Sequence, residues 1–463
     1  MQKVNTQTIS ELKLEFEKLC PQMTLEVRSL FSLLFKLFEV LLNSLPKKRG
    51  TSTTSDKPPS QDPFRKKRKK KDQGNRPGRR NGHAGSTLAM SDNPDRVIIH
   101  PAKKCDDCGS GLKNIPVQRI SRHQVIDIKF KKIITEHQVE HKRCHCGNHQ
   151  CHSSAGAPVK YGPELKAISV ELNQVQCIPY KRCAELFQQK FDITISPATL
   201  VNFASLASER LAIWEEEAKS KLLKSVVLHA DETGININGE NFWVHVLSNE
   251  STTLMIPHFK RGSEAMIEAE VLPQYNGILC HDFWSSYSNF DVVHAVCHSH
   301  LQREFTRVYE DYGQSWAKNI GEMLIEANEE RKKNDGVLTH EQVTYYEREF
   351  TRYLSQAKKL NSESIKRISA RGKIKQSYPR RLLNRLIKYR SWILIFLYDP
   401  SVPFTNNQAE RDIRMLKVQQ KVSGYFKSEK GARDYCRIRS YILSMQKQGY
   451  SKHQALTHLF PGT

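Results

Sequence analysis

Short apolar runs separated by turn residues mark the chain from residue 222 onwards, and this pattern predicts a sheet. Asn238-Gly239 is a two-residue hairpin signal between the first two runs. The strands are expected at residues 226–231, 242–247, 252–259, 278–282 and 292–297, with a short helix at 262–271. Three hairpin-linked strands, then a helix and further strands, are the order of an RNase H-like domain, in which the first and fourth strands are neighbours. The pattern therefore predicts Asp231 beside Asp282, in a domain of residues 222–463.

The 128 residues that lead from Asp282 to Glu410 have helical periodicity. Helical faces and caps are visible at Trp316 to Ala327, at the capping-box pair Thr339 and Gln342, and at Pro379 to Tyr398, predicted as one long apolar helix. A connection of this length is far longer than a loop. We therefore expect a helical insertion at about residues 306–400, after which a last helix carries Glu410.

Residues 159–221 are predicted to form three helices. The second runs from near Tyr180 to Lys190, and Ser196 caps the third, with Pro197 at its first position. Two short helices joined by a turn are typical of a helix-turn-helix that reads a major groove. No base-reading side chains stand out, so a helical spacer is an equally good interpretation.

The first 97 residues divide by pattern into a helical region and a linker. Residues 1–45 have helical periodicity, with a leucine stripe that either packs on its own domain or joins copies of the chain into an oligomer. Residues 46–97 lack apolar periodicity and read as a disordered linker. The linker contains seven consecutive cations, which stay extended until they meet phosphate. The run predicts DNA contact, and a solvated tail is the alternative.

Composition extends this picture to the whole chain. At 463 residues the chain is long enough for about three domains, so we expect a multidomain α/β (α+β) protein. Lysine and arginine total 72 against 49 acidic residues, a formal charge of +23 that favours a polyanionic partner. No apolar stretch reaches the roughly 20 residues of a spanning helix, and no signal peptide is visible. We expect a cytoplasmic protein, associated with the nucleoid when bound to DNA, and no membrane partner.

Residues 98–158 contain two cysteine pairs, Cys105 with Cys108 and Cys144 with Cys146. The stretch between the pairs alternates in polarity from Val125 to Val139, as short strands do. Four thiolates at the ends of a small sheet suit the tetrahedral ligation of Zn²⁺. The pattern predicts a structural zinc domain, with free structural cysteines as the alternative. Nearby residues that could replace one thiolate are His145, His149, Cys151 and His152.

Three acidic residues carry the predicted chemistry. Asp231 and Asp282 each end an apolar run, and Glu410 lies on a predicted helix. Two aspartates on neighbouring strands and a glutamate on a covering helix can hold two Mg²⁺ (or Mn²⁺) ions about 4 Å apart, which suits phosphodiester chemistry. Each residue also has a structural interpretation: a turn opened by Asp231, a helix cap at Asp282, and the third position of a capping box led by Asn407 for Glu410.

Several further side chains are candidates for supporting roles. Glu232 and Asp412 point away from the predicted site and support it at most, while His300 either positions phosphate or is a buried histidine. Arg414 shares a helix face with Glu410 and either steadies it or touches DNA. The candidate DNA contacts are Arg65, Lys66, Lys67, Arg68, Lys69, Lys70, Lys71, Arg79, Arg80, Arg261 and Arg414.

These motifs together resemble the insertion-sequence-66 family of DDE transposases. The resemblance is carried, in order, by the basic segment from Gly74 to Leu88, the cysteine quartet, Asp231-Glu-Thr, Asp282 with Tyr287, Cys297-x2-His300-x2-Arg303-x-Phe305, and Asn406-Asn-x2-Glu410-Arg411. The resemblance implies an enzyme that cuts and joins the ends of a mobile DNA element, with Asp231, Asp282 and Glu410 as the metal-binding triad. It also implies double-stranded DNA as substrate, a homo-oligomer on that DNA, and accessory proteins of the element as candidate partners.

Two rival functions remain open on the sequence. One is an RNase H-like, structure-selective nuclease that cleaves without strand transfer. The other is a zinc-containing DNA-binding protein that has no catalytic activity. Inverted repeats around the gene, with short target duplications outside them, would distinguish a transposase from a nuclease.

Overall fold

A computed structural model describes residues 88–151, 159–361 and 376–461. The predicted N-terminal helical region, the seven-cation run, Arg79 and Arg80 lie outside the described residues. The described chain divides into two compact units. The smaller comprises residues 88–151 with 189–192, and the larger comprises residues 159–188 with 193–461.

The smaller unit has little regular secondary structure. Its antiparallel strands are β1 (His141–Arg143) and β2 (His149–Cys151). The strands predicted between Val125 and Val139 are wrong, because residues 112–140 contain no strand. The alternating apolar residues have no facing strand and stay exposed, as Val125 (84%) and Ile133 (80%) show. Alternation alone does not make a strand when nothing covers its apolar face.

The larger unit begins with four helices rather than the predicted three. They are α1 (Pro163–Val170), which continues as a π-helical segment (Glu171–Val175), α2 (Tyr180–Phe191), α3 (Pro197–Arg210) and α4 (Ala212–Leu223). The predicted cap is confirmed, because the Ser196 hydroxyl accepts a hydrogen bond from Thr199 N. The extra helix arises because the backbone leaves helical geometry at Leu211 and resumes it at once.

A five-stranded mixed sheet forms the centre of the larger unit. Its strands are β3 (Val227–Ile237), β4 (Glu240–Ser248), β5 (Thr253–His258), β6 (Ile278–His281) and β7 (Val293–Val296). Their order across the sheet is β5-β4-β3-β6-β7, with β3 to β5 antiparallel and β6 and β7 parallel to β3. Asn238 and Gly239 both have positive φ, so the predicted hairpin turn is confirmed. The short α5 (Ser263–Glu268) follows β5.

A helical block separates β7 from the last helices. It contains α6 (His298–Tyr312), α7 (Ser315–Lys333), α8 (His340–Leu360), α9 (Tyr378–Lys388) and α10 (Arg390–Leu394), then a 3-10 turn (Ile395–Leu397). The predicted single helix over Pro379–Tyr398 is wrong, because the backbone leaves the helix at Tyr389. The predicted faces are confirmed: Trp316, Ile320, Met323 and Ala327 are all buried. The capping box of Thr339 and Gln342 is also present.

Three helices follow the helical block, and the first two cover one face of the sheet. They are α11 (Asn407–Ser423), α12 (Glu429–Lys447) and α13 (Lys452–His458). Ser444 and Ser440 of α12 accept hydrogen bonds from Thr253 N (2.9 Å) and Met255 N (2.8 Å) on the edge strand β5. The helix thereby satisfies donors that an edge strand would otherwise leave open. None of the described helices combines the length and apolarity needed to cross a membrane.

Candidate active site

Asp231 lies in the middle of β3, opposite Val246 of β4. The interpretation of Asp231 as the opening of a turn is wrong, because the strand continues to Ile237. Leu228 and Ala230 belong to the core on one face of the sheet, whereas Ile235 belongs to the core on the other. Since side chains alternate along a strand, Asp231 lies on the same face as Ile235, which α11 covers.

Asp282 follows the last residue of β6, the strand beside β3. The parallel register pairs Val227 with Ile278 and His229 with Cys280, and two further residues along each chain reach Asp231 and Asp282. Asp282 Oδ1 accepts a hydrogen bond from Trp284 N at 2.9 Å. Asp282 does not cap a helix, because the 3-10 turn that follows has Trp284 at its N-cap and no side-chain cap. The predicted neighbourhood of the first and fourth strands is confirmed.

Glu410 lies in the first turn of α11. The capping-box interpretation is wrong, because the N-cap is Asn406, not Asn407, and no side chain caps the helix. Asn406 is buried and joins the helix to β3: its Nδ2 donates to Ala230 O at 2.7 Å, and its Oδ1 lies 2.9 Å from His229 Nδ1. With the amide so oriented, Oδ1 accepts from a protonated His229 Nδ1. Asn406 therefore fixes the start of the Glu410 helix next to Asp231.

The three carboxyl groups interact electrostatically. Burial raises the pKa of Asp231 well above its usual range, and the negative charges of Glu232, Asp282 and Glu410 raise it further. Burial likewise raises the pKa of Asp282 and of Glu410, and the Asp282 charge adds to the shift at Glu410. Arg303 and Arg414 act in the opposite direction on the pKa of Glu410. Like charges gathered in a site of low dielectric destabilise their own ionised forms unless a cation joins them.

Glu232 lies on the other face of β3 and has its own partners. Its carboxylate accepts hydrogen bonds from Arg261 Nη2 (2.7 Å) and from the Tyr287 hydroxyl (2.8 Å). Arg261 also lies over the rings of Trp243 and Trp284, at 4.6 and 4.0 Å from their centroids. Burial and the Asp282 charge raise the pKa of Glu232 to about 7 despite these two donors. The predicted DNA contact Arg261 is thus held by an ion pair and two aromatic rings.

Cys297 and His300 lie beside Glu410. Glu410 Oε1 is 3.7 Å from His300 Nδ1 and 4.0 Å from Cys297 Sγ. Among the described residues these three alone form a group of metal-ligand atoms within 4.8 Å of one another. The triad Asp231, Asp282 and Glu410 does not form so tight a group. A pair of ions about 4 Å apart needs carboxylates spread around both positions, so a wider spacing is compatible with a two-ion site.

The remaining predicted residues of the larger unit have different surroundings. Arg414 is exposed on α11, one turn beyond Glu410. Asp412 is buried and pairs with Lys447 (2.9 Å) and the Thr253 hydroxyl (2.8 Å), so it joins α11, α12 and β5. Such a buried pair fixes helices on a sheet and is not part of the acidic site.

The four cysteines of the smaller unit lie in two tight turns. Cys105 O accepts from Gly109 N at 3.0 Å, and Cys144 O accepts from Gly147 N at 2.8 Å. Hydrogen bonding with Ser110 lowers the pKa of Cys108 to about 7, and hydrogen bonding with Cys146 lowers that of Cys144. The two turns do not bring the four sulfur atoms within 4.8 Å of one another. The zinc site therefore stays a prediction.

Asn406 and Cys297 contact the candidate site, and the sequence alone assigned neither of them a role. Both belonged to recognised motifs, Asn406-Asn-x2-Glu410 and Cys297-x2-His300. An asparagine next to a predicted helix start reads as a cap, but this one bonds to a strand 176 residues away in sequence. Within each motif the two residues are three or four positions apart, Cys297 from His300 and Asn406 from Glu410, and this spacing was the hint that each pair shares a location.

Comparison with protein-family models gives one match. The model described as "Transposase IS66 family" matches residues 158–434, more than half of the chain and the part that contains Asp231, Asp282 and Glu410. No curated protein matches the chain. The matched span includes the whole five-stranded sheet and the helical block. The chain belongs to the IS66 family of transposases.

Proposed function

We propose that this transposase cuts and joins the ends of a mobile DNA element by metal-dependent phosphoryl transfer at Asp231, Asp282 and Glu410. One observation carries the proposal: neighbouring parallel strands and a covering helix bring three carboxylates close enough for the charge of one to raise the pKa of another. Asp231 is level with Asp282 across β3 and β6, and Asn406 holds the start of the Glu410 helix against β3.

The strand order supports an RNase H-like fold for this unit. Numbered by appearance within the sheet, the strands lie in the order 3-2-1-4-5, the first three being antiparallel and the last two parallel to the first. This arrangement places the first and fourth strands side by side at the centre. A helical block between the fifth strand and Glu410 then corresponds to the predicted insertion.

The residues present fit divalent cations. Mg²⁺ prefers oxygen ligands, and the three carboxylates supply them from rigid elements. Each pKa is raised by burial and by the charge of another site carboxylate, or by burial alone at Asp282. A cation would relieve that repulsion, and it would hold the carboxylates ionised at neutral pH.

Two bound divalent ions would activate the attacking water or 3′-hydroxyl and stabilise the leaving oxygen of the phosphodiester. The protein's contribution is to fix the ligands. Asp231 and Asp282 lie on hydrogen-bonded strands, and Asn406 prevents α11 from moving Glu410 away. Arg303 and Arg414 add positive charge next to Glu410, where a phosphate backbone must approach.

The sharpest test is Glu410→Gln, since it removes a charge but almost no volume. DNA carrying the inverted repeats that flank the gene would be incubated with each protein and Mg²⁺. We expect Glu410→Gln, Asp231→Asn and Asp282→Asn each to reduce strand cleavage and joining by roughly 10²–10⁴-fold, because several kcal/mol of charge stabilisation are lost. Affinity for DNA should hold or rise, because repulsion of phosphate is relieved. Double substitutions should cost little more than single ones.

Glu429→Gln is the matched control, because Glu429 lies in the first turn of α12 and is exposed. It should leave cleavage unchanged. A Glu410→Gln protein with normal cleavage would remove Glu410 from the site. Cleavage without any joined product, in the unsubstituted protein, would favour the nuclease over the transposase mechanism.

A further inference from the structure

Cys297, His300 and Glu410 place a sulfur, a nitrogen and an oxygen ligand at one point. Cys297 is the N-cap of α6, His300 lies in the first turn of that helix, and Glu410 lies in the first turn of α11. Tetrahedral Zn²⁺ with bonds of about 2.0–2.3 Å needs ligand atoms roughly 3.3–3.6 Å apart. The distances from Glu410 Oε1, 3.7 Å to His300 and 4.0 Å to Cys297, are within a few tenths of an ångström of that requirement.

The three ligand atoms are also available to a metal ion. Within the described part of the chain, His300 Nδ1 is buried and has no hydrogen-bond partner. Cys297 Sγ accepts a hydrogen bond from Asn406 N at 3.2 Å, which is the contact that stabilises a metal-bound thiolate. Glu410 keeps 36% of its side chain exposed, so an ion can reach it. A buried nitrogen without a partner costs free energy, which a metal ion would offset.

We propose that Cys297, His300 and Glu410 form a site for a soft divalent cation such as Zn²⁺, and that this ion competes with the catalytic ions for Glu410. Thiolate and imidazole select zinc over magnesium. Binding displaces the Cys297 thiol proton to solvent, so the ion is held by three protein ligands with one position open. The competition rests on the proposed role of Glu410 in catalysis, whereas zinc binding itself does not.

Zinc bound at this site then inhibits the enzyme. A Glu410 carboxylate bound to zinc beside the sulfur and imidazole is no longer available to magnesium in the same geometry. Rising zinc at constant magnesium should therefore inhibit strand cleavage, and excess magnesium should weaken zinc binding.

The test counts zinc bound to the full-length protein, dialysed against micromolar Zn²⁺ with and without excess Mg²⁺. Cys297→Ser, His300→Gln and Glu410→Gln are compared with the unsubstituted chain. Each should bind one zinc fewer, or bind that zinc at least about 10–100-fold more weakly. Cys183→Ser is the matched control: its buried thiol donates to Ile178 O at 3.4 Å, a bond that serine can also make. It should bind as much zinc as the unsubstituted protein.

The outcomes separate the two proposals. Equal zinc content in all four variants would overturn the site. Zinc that is lost with Cys297→Ser but is indifferent to Mg²⁺ would leave the site standing and contradict the catalytic role of Glu410. Zinc inhibition, expressed relative to each variant's own zinc-free rate, should weaken at least tenfold in Cys297→Ser and His300→Gln, in line with their lost affinity. If Cys297→Ser fails to fold by circular dichroism, His300→Gln decides, because its side chain is about one-third exposed.

Discussion

The two units of this transposase arrange their candidate metal ligands in opposite ways. In the larger unit, ligands far apart in sequence are brought together by a sheet and a helix: Asp231 and Asp282 by strand pairing, and Glu410 by Asn406. In the smaller unit, each cysteine pair is local, within a short turn, and the four sulfur atoms do not all lie within 4.8 Å of one another. Thiol exposure follows the same division, since Cys108, Cys144 and Cys146 are exposed and Cys297 is buried.

The difference indicates what each unit needs before it can bind an ion. The larger unit has a buried core on both faces of its sheet, so its site is formed by folding. The smaller unit leaves its alternating apolar residues exposed. If the four cysteines bind zinc as predicted, the metal itself would supply folding free energy to this unit. We expect an ion to complete the first site and to create the second.

The largest effect should come from removing one ligand of the smaller unit. Cys108→Ser should lose about one zinc per chain and unfold residues 98–158 locally, because structural zinc contributes about 10–16 kcal/mol to such domains. Metal analysis and amide hydrogen exchange would measure both changes. Exchange in β3 to β7 should be unaltered. If the smaller unit of the wild-type protein contained no zinc and were still protected from exchange, the contrast between the two units would be wrong.

Asn406→Asp should give the next largest effect. The aspartate keeps an acceptor for His229 but loses the donor to Ala230 O, so one of the two hydrogen bonds that tie the Glu410 helix to β3 is lost. A misplacement of about 1 Å can reduce the rate about 10²-fold. We expect that loss in single-turnover cleavage, with DNA affinity unchanged. Asn407→Asp is the control. Asn407 is exposed, so this variant should cleave DNA at the normal rate.

The pH dependence of the free energy of unfolding should report the raised pKa values of the acidic residues. The folded-state pKa of Glu232 is raised from 4.5 to about 7, so the native state holds that proton where the unfolded state has lost it. The free energy of unfolding should therefore fall as pH rises from 4.5 through about 7 in EDTA. Asp231 and Asp282 contribute with the same sign.

Mg²⁺ should reverse this loss. At a hundred times its Kd, a ligand stabilises the native state by about 2.7 kcal/mol. Thermal unfolding at pH 8 should show this gain, and at pH 5 a smaller one, because protonated carboxyls bind the ion poorly. Stability that rises with pH in EDTA would contradict the raised pKa values.

The smallest effect is expected far from both sites. Thr339→Ala removes the capping box of α8 and should cost about 1 kcal/mol of stability. Cleavage at a temperature well below unfolding should be unchanged. Lost activity at that temperature would show that the helical block affects the position of Glu410 more closely than its packing suggests.

Much of the larger unit could be predicted because its signals are local and mutually consistent. Alternating apolar runs and the Asn238-Gly239 turn gave every strand within two residues, except that β3 continues six residues beyond Asp231. That extension alternates through Ile235 and Ile237 up to the Asn238-Gly239 turn, and it pairs with β4 for its full length. The buried helix faces followed from spacing in the same way.

What could not be predicted depends on tertiary partners. The break at Tyr389 divides an apolar helix that periodicity alone would continue. The capping box was assigned to Asn407, because the bond from Asn406 to Ala230 has no local signal. Alternation between Val125 and Val139 predicted strands, but a strand needs a neighbour. At the site, the type of each carboxylate was readable from motifs, whereas the pairing of Glu410 with Cys297 and His300 needed the fold.

The hydrogen bond from Asn406 to β3 has a consequence for the order in which activity can arise during synthesis. The ribosome makes both aspartates long before Glu410, because the helical block lies between them in the chain. A nascent or prematurely terminated chain that ends in the helical block has DNA-attracting charge but no third carboxylate. Closure over so many residues is slow compared with local folding. On the proposed role of Glu410, DNA cleavage should therefore begin late, after release of most of the chain, and truncated products should bind DNA without cutting it.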